Sequence, residues 1–246
     1  MKIISLYSMK GGVGKTAASV NLAYLSAKDG FQTLLCDLDP QGASSYYFRI
    51  KDSKNFSTKK FLKGGKNIYN NIKGTDYDNL DLLPSKLSYR NFDIELDSLK
   101  HSKTQFNSIL SDLQDEYDII FLDCPPGITL LSENIFNSSD IILVPVIPTT
   151  LSVRTYLMLL KFFKNKKLDE SKIHAFYSMV EIRKSMHQDA ISKMSSSIDN
   201  FLGAQIPYRS NVEKMGVYRK PLNEFEPFSP AAFAYSVLWK EITQIN

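Results

Sequence analysis

The sequence predicts a doubly wound α/β fold, in which a mostly parallel sheet is flanked by helices on both faces. Short apolar runs alternate with longer stretches of helical spacing, which is the pattern of strands covered on both sides. A glycine-rich turn connects the first apolar run to the first helical stretch. The chain has 246 residues, of which 43% are hydrophobic, enough to bury one large core. We therefore expect residues 1–246 to form a single domain.

Six strands and five helices are predicted in chain order. The predicted strands are KIISLY (2–7), TLLCDL (33–38), LDLLPS (80–85), DIIFLD (118–123), DIILVPV (140–146) and HAFYSMV (174–180). The predicted helices cover approximately residues 15–29, 91–115, 151–166, 186–200 and 229–244. Residues 49–73 are polar, rich in Lys, Asn and Gly, and without a clear period, so we expect an irregular connection there.

The glycine-rich turn has the composition of a phosphate-binding loop. GGVGKT (11–16) follows an apolar strand and opens a helix, where glycines let backbone N–H groups face an anion and the helix N-terminus adds partial positive charge. Lys15 would contact the β- and γ-phosphates, and the Thr16 hydroxyl would ligate Mg²⁺. The residues predicted to bind nucleotide here are Gly11, Gly12, Val13, Gly14, Lys15, Thr16 and Ala17.

Two further strands each end in an aspartate. In LLCDLDPQG (34–42), Asp37 ends the strand and Asp39 follows at once, so both carboxylates are expected at the carboxyl edge of the sheet, where ligands bind in open α/β folds. Taken alone, this stretch is also typical of a turn. In YDIIFLDCPPG (117–127), Asp123 ends an apolar strand, the Walker B arrangement whose carboxylate can hold a metal-bound water.

These motifs together resemble a known family. KGGVGKT (10–16), DLDPQG (37–42) and DCPPG (123–127), in this order, resemble the ParA/MinD group of deviant-Walker ATPases, and LDLLPS (80–85) and VPVIPTTLSVRTYLMLL (144–160) resemble ParA-type segments. The pattern is most similar to Soj-like ParA partition proteins. The resemblance implies a P-loop NTPase fold of the SIMIBI type, ATP and Mg²⁺ as cofactors, and a homodimer in the ATP-bound state.

A second lysine distinguishes this loop. Lys10 lies before the glycine turn, on the far side of the loop from Lys15, and is poorly placed to contact the same phosphates. In the family that the sequence resembles, this lysine crosses a face-to-face dimer interface and contacts the nucleotide of the other subunit. There it would neutralise charge that develops during phosphoryl transfer. The alternative is a lysine that is simply solvated.

The resemblance also implies the hydrolysis machinery. Asp39 would orient or activate the attacking water, Asp37 and Asp123 would support the Mg²⁺ shell, and Thr16 would ligate the ion. The predicted catalytic residues are Lys10, Lys15 and Asp39. Because a switch needs a long-lived ATP state, we expect slow hydrolysis that a ParB-like adaptor protein accelerates.

The resemblance places the adenine base near IPYR (206–209), with Pro207 as the predicted contact. In the family, the segment that follows the last strands flanks the base. This chain departs from the family there, because it reads IPYRSNVEKMGVYRKP (206–221) where a family-typical stretch reads IPRNVRLSEAP.

Two outputs of such a switch remain open. A ParA-like protein binds nonspecific DNA as an ATP dimer and positions a plasmid, a chromosome or another cargo, whereas a MinD-like protein acts on a membrane or a protein assembly. Residues 1–150 carry 16 Lys and Arg against 17 Asp and Glu, and residues 151–246 carry 14 against 9, so the basic excess lies in the C-terminal part. The DNA contacts implied by the resemblance are Arg183, Arg209 and Arg219. Each of these arginines alone is also typical of a solvated surface charge.

The tail AAFAYSVLWKEITQIN (231–246) bears on the membrane alternative. It contains one lysine and predicts a helix packed on the core rather than a detachable anchor. It has apolar residues at Phe233, Val237, Leu238 and Ile242. No helix-turn-helix precedes the first strand, so operator-specific DNA binding is not expected.

Other classes are disfavoured by what the sequence contains. No apolar run approaches the roughly 20 residues of a membrane span, and no signal peptide is evident, so we expect a cytoplasmic protein. The resemblance to ParA proteins implies that it is also nucleoid-associated. Cys36 and Cys124 end apolar runs and are predicted to be small buried residues. Their placement disfavours a metal-delivery or nitrogenase-type reductase, whose cysteines bridge a cluster at a dimer interface. Trp239 is predicted to lie in the core, and the scattered histidines are assigned no chemical role.

Overall fold

A single eight-stranded sheet organises the computed structural model, which describes residues 1–195, 198 and 200–245. Within those residues the strand order is β3-β4-β2-β5-β1-β6-β7-β8, and β3 alone is antiparallel to its neighbour. The doubly wound, mostly parallel α/β fold is thereby confirmed. The strands are β1 Lys2–Leu6, β2 Thr33–Asp37, β3 Lys73–Gly74, β4 Leu80–Leu83, β5 Ile119–Asp123, β6 Ile141–Val146, β7 Ile173–Val180 and β8 Phe201–Pro207.

Helices connect the strands and cover both faces of the sheet. Two short 3₁₀ segments, Leu87–Asn91 and Glu170–Lys172, occur as well. The α-helices of the described chain are α1 Lys15–Lys28, α2 Ala43–Tyr47, α3 Thr58–Leu62, α4 Lys66–Tyr69, α5 Phe92–Asp97, α6 Gln105–Ser111, α7 Leu130–Ser138, α8 Thr150–Lys166, α9 Ser185–Ser195, α10 Ser210–Glu213, α11 Met215–Tyr218, α12 Leu222–Phe225 and α13 Pro230–Thr243.

The strand register brings the predicted site residues to one edge of the sheet. Asp37, the last residue of β2, is paired with Asp123, the last residue of β5. Leu6 at the end of β1 is paired with Asp123 from the other side. The loop that leaves β1 therefore begins beside both carboxylates, at the carboxyl edge where open α/β folds bind ligands.

The core consists of two apolar clusters, one on each face of the sheet. Leu34 lies in one cluster and Leu35 in the other, because successive side chains of a strand point to opposite faces. Helices α5 to α8 contribute to the first cluster, and α1 and α13 to the second. Cys36 and Cys124 are fully buried, as the sequence predicts.

The sequence-based assignment of secondary structure was wrong in some places and incomplete in others. The helix predicted over 91–115 is two helices, α5 and α6, separated by the polar stretch 98–104. Residues 49–73 contain α3, which buries Phe61, and α4, which buries Ile68. The other elements that were not predicted are strands β3 and β8 and helices α2, α7, α10, α11 and α12. The helix predicted over 186–200 ends at Ser195 as α9, and residues 196, 197 and 199 of that prediction lie outside the described residues.

The C-terminal helix α13 packs on the sheet, as predicted from its pattern. Its Leu238 and Ile242 are buried, and Trp239 donates a hydrogen bond from Nε1 to Asp29 Oδ2 at 2.7 Å. Phe233 was assigned to the packed face, and this was wrong: it is 69% exposed because it lies on the opposite side of the helix. Among the described residues, none of the helices combines the length and the apolar character that crossing a membrane requires.

Candidate active site

The loop between β1 and α1 is held in a conformation that only glycine adopts without strain. Gly12 has φ 71° and Gly14 has φ 91°, both in the left-handed region. The Ser178 hydroxyl at β7 donates to the Val13 carbonyl at 2.8 Å. A Cβ atom on Gly14 would lie 2.9 Å from the Ser178 Oγ. The left-handed turn thus lets the loop pack tightly against β7.

Lys15 begins α1 and is buried within the loop. Only 7% of its surface is exposed, and its ammonium donates to the carbonyl of Lys10 at 3.3 Å. Burial lowers the pKa of Lys15, and the negative charge of Asp123 opposes that shift. A buried ammonium group enclosed by its own loop is the arrangement that contacts the terminal phosphates of a nucleotide.

An open cleft of about 690 Å³ lies in front of this loop. Its volume falls within the range, roughly 300 to 1,000 Å³, that is common for small-molecule sites. Most of the residues predicted to bind nucleotide line this cleft, whereas Val13 is buried behind the loop. The cleft residues that the sequence predicted are Gly11, Gly12, Gly14, Lys15, Thr16, Ala17 and Asp39.

Asp37 and Asp123 form a buried pair behind the cleft. Each is 1% exposed, and each accepts hydrogen bonds at Oδ2 from a serine of α2. Within the described chain, the Oδ1 atoms of both carboxylates are buried and have no hydrogen-bond partner. Burial raises the pKa of both groups, and the charge of Asp123 raises that of Asp37 further.

The unpartnered oxygens identify what this pair can hold. A buried carboxylate oxygen without a donor is costly unless a cation, or water bound to a cation, satisfies it. Thr16, whose hydroxyl lowers the pKa of Asp123, lies close to the pair. Hydroxyl, carboxylate and water oxygens are the ligands that Mg²⁺ prefers, so these residues fit a magnesium site completed by phosphates.

Asp39 occupies a different environment, because it is only partly buried and lines the cleft. The backbone N–H of Gln41 donates to Asp39 Oδ1 at 2.9 Å, which fixes the carboxylate at the start of the turn. A carboxylate held in this way and reached by solvent can orient a water molecule.

The two lysines of the loop lie on different sides of it. Lys15 lines the cleft, whereas Lys10 lines a narrow crevice with Val144 of β6 and Tyr156 of α8. The Lys10 side chain is exposed, and its ammonium makes no hydrogen bond or ion pair with any residue that the structure describes. Of these two lysines, therefore, Lys15 faces the cleft of its own subunit and Lys10 does not.

Pro207, the predicted adenine contact, is the last residue of β8. It lines a small apolar cavity of about 60 Å³ with Tyr208 and Met179. This cavity and the cleft share five lining residues, so the two spaces adjoin. The shared residues are Gly14, Ala17, Met179, Val212 and Glu213. Met179 itself has φ 53°, an uncommon conformation for a non-glycine residue.

The three arginines predicted to contact DNA are not equivalent. Arg183 and Arg209 are exposed and line one open cavity of about 460 Å³. Arg219 is half-buried: its Nε donates to the carbonyl of Tyr46 at 2.9 Å, and its guanidinium lies 4.4 Å from the centre of the Tyr46 ring. The structure thus brings Arg183 and Arg209 together and engages Arg219 with the end of α2.

Comparison with known proteins places this site in a family. A family model described as an AAA domain matches residues 1–175, which include the loop and all three aspartates. The sporulation initiation inhibitor protein Soj of Bacillus subtilis is 28% identical over 247 residues, covering 98% of each chain. The chain belongs to the ParA/MinD family of P-loop ATPases.

Further relatives of this ParA-family chain agree with that assignment. The chromosome-partitioning ATPase Soj of Treponema pallidum is 25% identical over 248 residues, covering 98% of this chain and 96% of its own. Among solved structures, a Borrelia burgdorferi B31 protein described as a plasmid partition protein, bound to AMPPNP, superposes with a TM-score of 0.85. It is 26% identical, and the match covers 99% of both chains.

The ParA-family site also contains residues that sequence analysis missed. Ser44, Ser45 and Ser85 surround the three aspartates with hydrogen bonds. Ser44 and Ser45 follow DLDPQG directly, which was an available signal, although serine after a turn is common. Ser85 lies forty residues further along, and only the pairing of β2 with β4 brings it to the site.

Proposed function

We propose that this chain is a Mg²⁺-dependent ATPase of DNA partition that dimerises around ATP, binds nonspecific DNA as that dimer, and is released by hydrolysis. The observation that supports it best is the opposite placement of Lys10 and Lys15 on one phosphate-binding loop. One lysine serves the cleft of its own subunit, and the exposed one is free to reach the cleft of a partner.

ATP is proposed to bind with its phosphates along residues Gly11–Ala17. Lys15 donates to the terminal phosphates, and backbone N–H groups of the loop donate to the others. Thr16, Asp37 and Asp123 would hold Mg²⁺, which neutralises charge on the phosphates when bound. The relative bound to AMPPNP supports this proposal, since it shares the fold over nearly its whole length. Pro207 would flank the adenine from the adjoining cavity.

Hydrolysis is assigned to a water molecule held by Asp39. The Gln41 N–H anchors one oxygen of that carboxylate, and the partly exposed group lines the cleft. Asp39 would accept the proton of the attacking water, while Lys15 and the partner subunit's Lys10 stabilise charge on the transferred phosphoryl group. Turnover is proposed to be slow and to be stimulated by a ParB-like adaptor.

DNA binding would follow from dimerisation. Arg183 and Arg209 line one cavity, and a dimer presents both pairs, so the charges would add. Arg219 remains a predicted DNA contact, although its guanidinium already stacks on Tyr46. The membrane alternative has less support, because α13 buries its apolar face on the core. A cytoplasmic, nucleoid-associated location is part of the same proposal.

The proposal is tested by measuring binding to a nonspecific DNA duplex with ATP, with ADP and without nucleotide, across a salt series. We expect binding with ATP alone, and an affinity that falls steeply with salt because phosphate contacts release counterions. Arg183→Ala and Arg209→Ala should each reduce the salt slope by about one contact per subunit. Lys28→Ala serves as a control, because Lys28 is exposed in the last turn of α1, at the end away from the phosphate-binding loop. Equal binding in all three nucleotide states, or binding to anionic liposomes instead of DNA, would refute the proposal.

A further inference from the structure

Three serines connect the aspartates of the site into one hydrogen-bonded unit. Ser45 donates to Asp37 Oδ2 twice, from its backbone N–H at 2.8 Å and from its hydroxyl at 2.7 Å. Ser44 donates from its hydroxyl to Asp123 Oδ2 at 2.8 Å. Both serines lie in α2, where Ser45 is 7% exposed and Ser44 is 0% exposed. Two consecutive residues of one short helix therefore hold the two buried carboxylates.

The third serine fixes the direction of these bonds. The backbone N–H of Ser85 donates to Ser45 Oγ at 3.0 Å, so the Ser45 hydroxyl must direct its own proton to Asp37. The Ser85 hydroxyl donates to the backbone carbonyl of Asp39. A continuous chain of bonds thus runs from the turn that carries Asp39, through Ser85 and Ser45, to Asp37.

The serines act on one oxygen of each carboxylate and leave the other free. Oδ2 of Asp37 and Oδ2 of Asp123 accept the serine bonds, whereas the buried Oδ1 atoms have no hydrogen-bond partner within the described chain. A carboxylate restrained at one oxygen has a fixed orientation, which sets the direction of the other oxygen. This is how outer residues orient the groups that bind a metal.

We propose that Ser44 and Ser45 are positioning residues of the magnesium site, and that Ser85 links this site to the turn of the water-orienting Asp39. The inference rests on the proposed Mg²⁺-ATPase function and adds residues that the phosphate-loop motifs do not include. Ser45 acts through Asp37, and Ser44 acts through Asp123. The Ser85 side chain bonds to the backbone carbonyl of Asp39. Ser85 therefore affects hydrolysis, through the position of Asp39, rather than metal affinity.

The test is the affinity of the full-length protein for a fluorescent, nonhydrolysable ATP analogue, measured in EDTA and at increasing Mg²⁺. In EDTA, Ser45→Ala should bind the analogue with the wild-type affinity. The Mg²⁺ concentration that gives half of the Mg²⁺-dependent gain in affinity should be about tenfold higher for Ser45→Ala, because changing a residue that orients a metal ligand typically costs 10- to 100-fold in metal affinity. Ser44→Ala should raise the Mg²⁺ requirement in the same way, and it tests the second carboxylate, because Ser44 bonds to Asp123. Ser45→Thr retains the hydroxyl and should restore the wild-type Mg²⁺ requirement.

Two controls separate positioning from general destabilisation. Ser139→Ala removes an equally buried hydroxyl, bonded to the Ile135 carbonyl at 2.7 Å, and should leave the Mg²⁺ requirement unchanged. Ser85→Ala retains the N–H that bonds to Ser45, so it should slow hydrolysis without altering that requirement. If Ser45→Ala and Ser44→Ala need no more Mg²⁺ for the half-maximal gain in affinity than Ser139→Ala does, the inference is wrong. If the wild-type protein shows no magnesium effect at all, the proposed function fails and the inference fails with it.

Discussion

Glycine is required at some positions of the loop and not at others. Gly14 combines φ 91° with a near contact to the Ser178 Oγ, whereas Gly11 has open space around the position of a Cβ atom. Gly14→Ala should therefore lower the free energy of unfolding by about 1 to 2 kcal/mol, the cost of a left-handed conformation, and weaken nucleotide binding. Gly11→Ala is the matched control and should leave the unfolding midpoint in denaturant nearly unchanged. Equal midpoints for the two variants would show that the loop is not held as described.

The buried aspartate pair predicts a dependence of stability on pH. Burial and the charge of Asp123 raise the pKa of Asp37 in the folded state. Between the ordinary pKa of a carboxyl group, about 4, and this raised value, the folded state binds more protons than the unfolded state. The free energy of unfolding should therefore be highest at the acidic end of this window and fall as pH rises.

Asp37→Asn tests that dependence, since asparagine stays neutral and can still accept from Ser45. In denaturant titrations between about pH 5 and pH 8 without nucleotide or Mg²⁺, the variant should lose stability less steeply than the wild-type protein as pH rises. Asp115→Asn, at an exposed position, should retain the wild-type slope. The same slope in Asp37→Asn as in the wild-type protein would contradict the assignment of Asp37 as a buried, partly protonated group.

Helix α13 provides a test of packing among the secondary-structure elements. Trp239 is buried against the sheet and bonds to Asp29 at the end of α1, whereas Phe233 on the same helix is exposed. Trp239→Ala should lower the free energy of unfolding by about 3 to 5 kcal/mol. Phe233→Ala should change it by less than about 0.5 kcal/mol. Similar losses for both variants would mean that α13 packs in a different orientation.

The elements also show what the sequence could and could not predict. Strands β1, β2, β5 and β6 were predictable because they are buried on both faces and read as continuous apolar runs. Edge strand β8 was not, because it contains an exposed Gly203 and Gln205 that interrupt its apolar pattern. Helices α3 and α4 are too short to show a period; Phe61 of α3 packs against other aromatic rings, and Ile68 of α4 is buried in the same core cluster.

The residues of the candidate site that belong to short sequence motifs were predictable, and those brought together by the tertiary fold were not. The loop, Asp37 and Asp123 lie at strand ends, where topology alone brings them together. The serine bonds depend on α2 folding back over the sheet and on Ser85 arriving from β4, which no local pattern encodes. Likewise, only the tertiary structure shows that Arg219 stacks on Tyr46 while Arg183 and Arg209 remain exposed.

For the molecule as a whole, two subunits complete each other's clefts in the proposed mechanism. Asp39→Ala should bind ATP and dimerise without hydrolysing it, because the loop and its lysines are intact. Lys10→Ala should bind ATP in its own cleft but lack the group that it would offer to a neighbour. Size-exclusion chromatography with ATP should therefore show a dimer for Asp39→Ala and a monomer for Lys10→Ala. If Lys10→Ala forms dimers with ATP, Lys10 is not needed to join the two subunits, and the proposed contact of Lys10 with the partner's nucleotide is not supported.

Hydrolysis by a mixture of two inactive variants reveals whether each cleft takes Lys10 from its neighbour. In a mixed dimer, the Lys10→Ala subunit keeps Asp39 and receives Lys10 from the Asp39→Ala subunit, so one cleft of two is complete. Because Lys10→Ala does not pair with itself, equal mixing should restore hydrolysis through mixed dimers alone, to at most about half of the wild-type rate, since each mixed dimer has one complete cleft of two. Asp39→Ala mixed with the double variant Lys10→Ala, Asp39→Ala should stay inactive. No recovery in the first mixture, or wild-type activity of Lys10→Ala alone, would contradict the shared site.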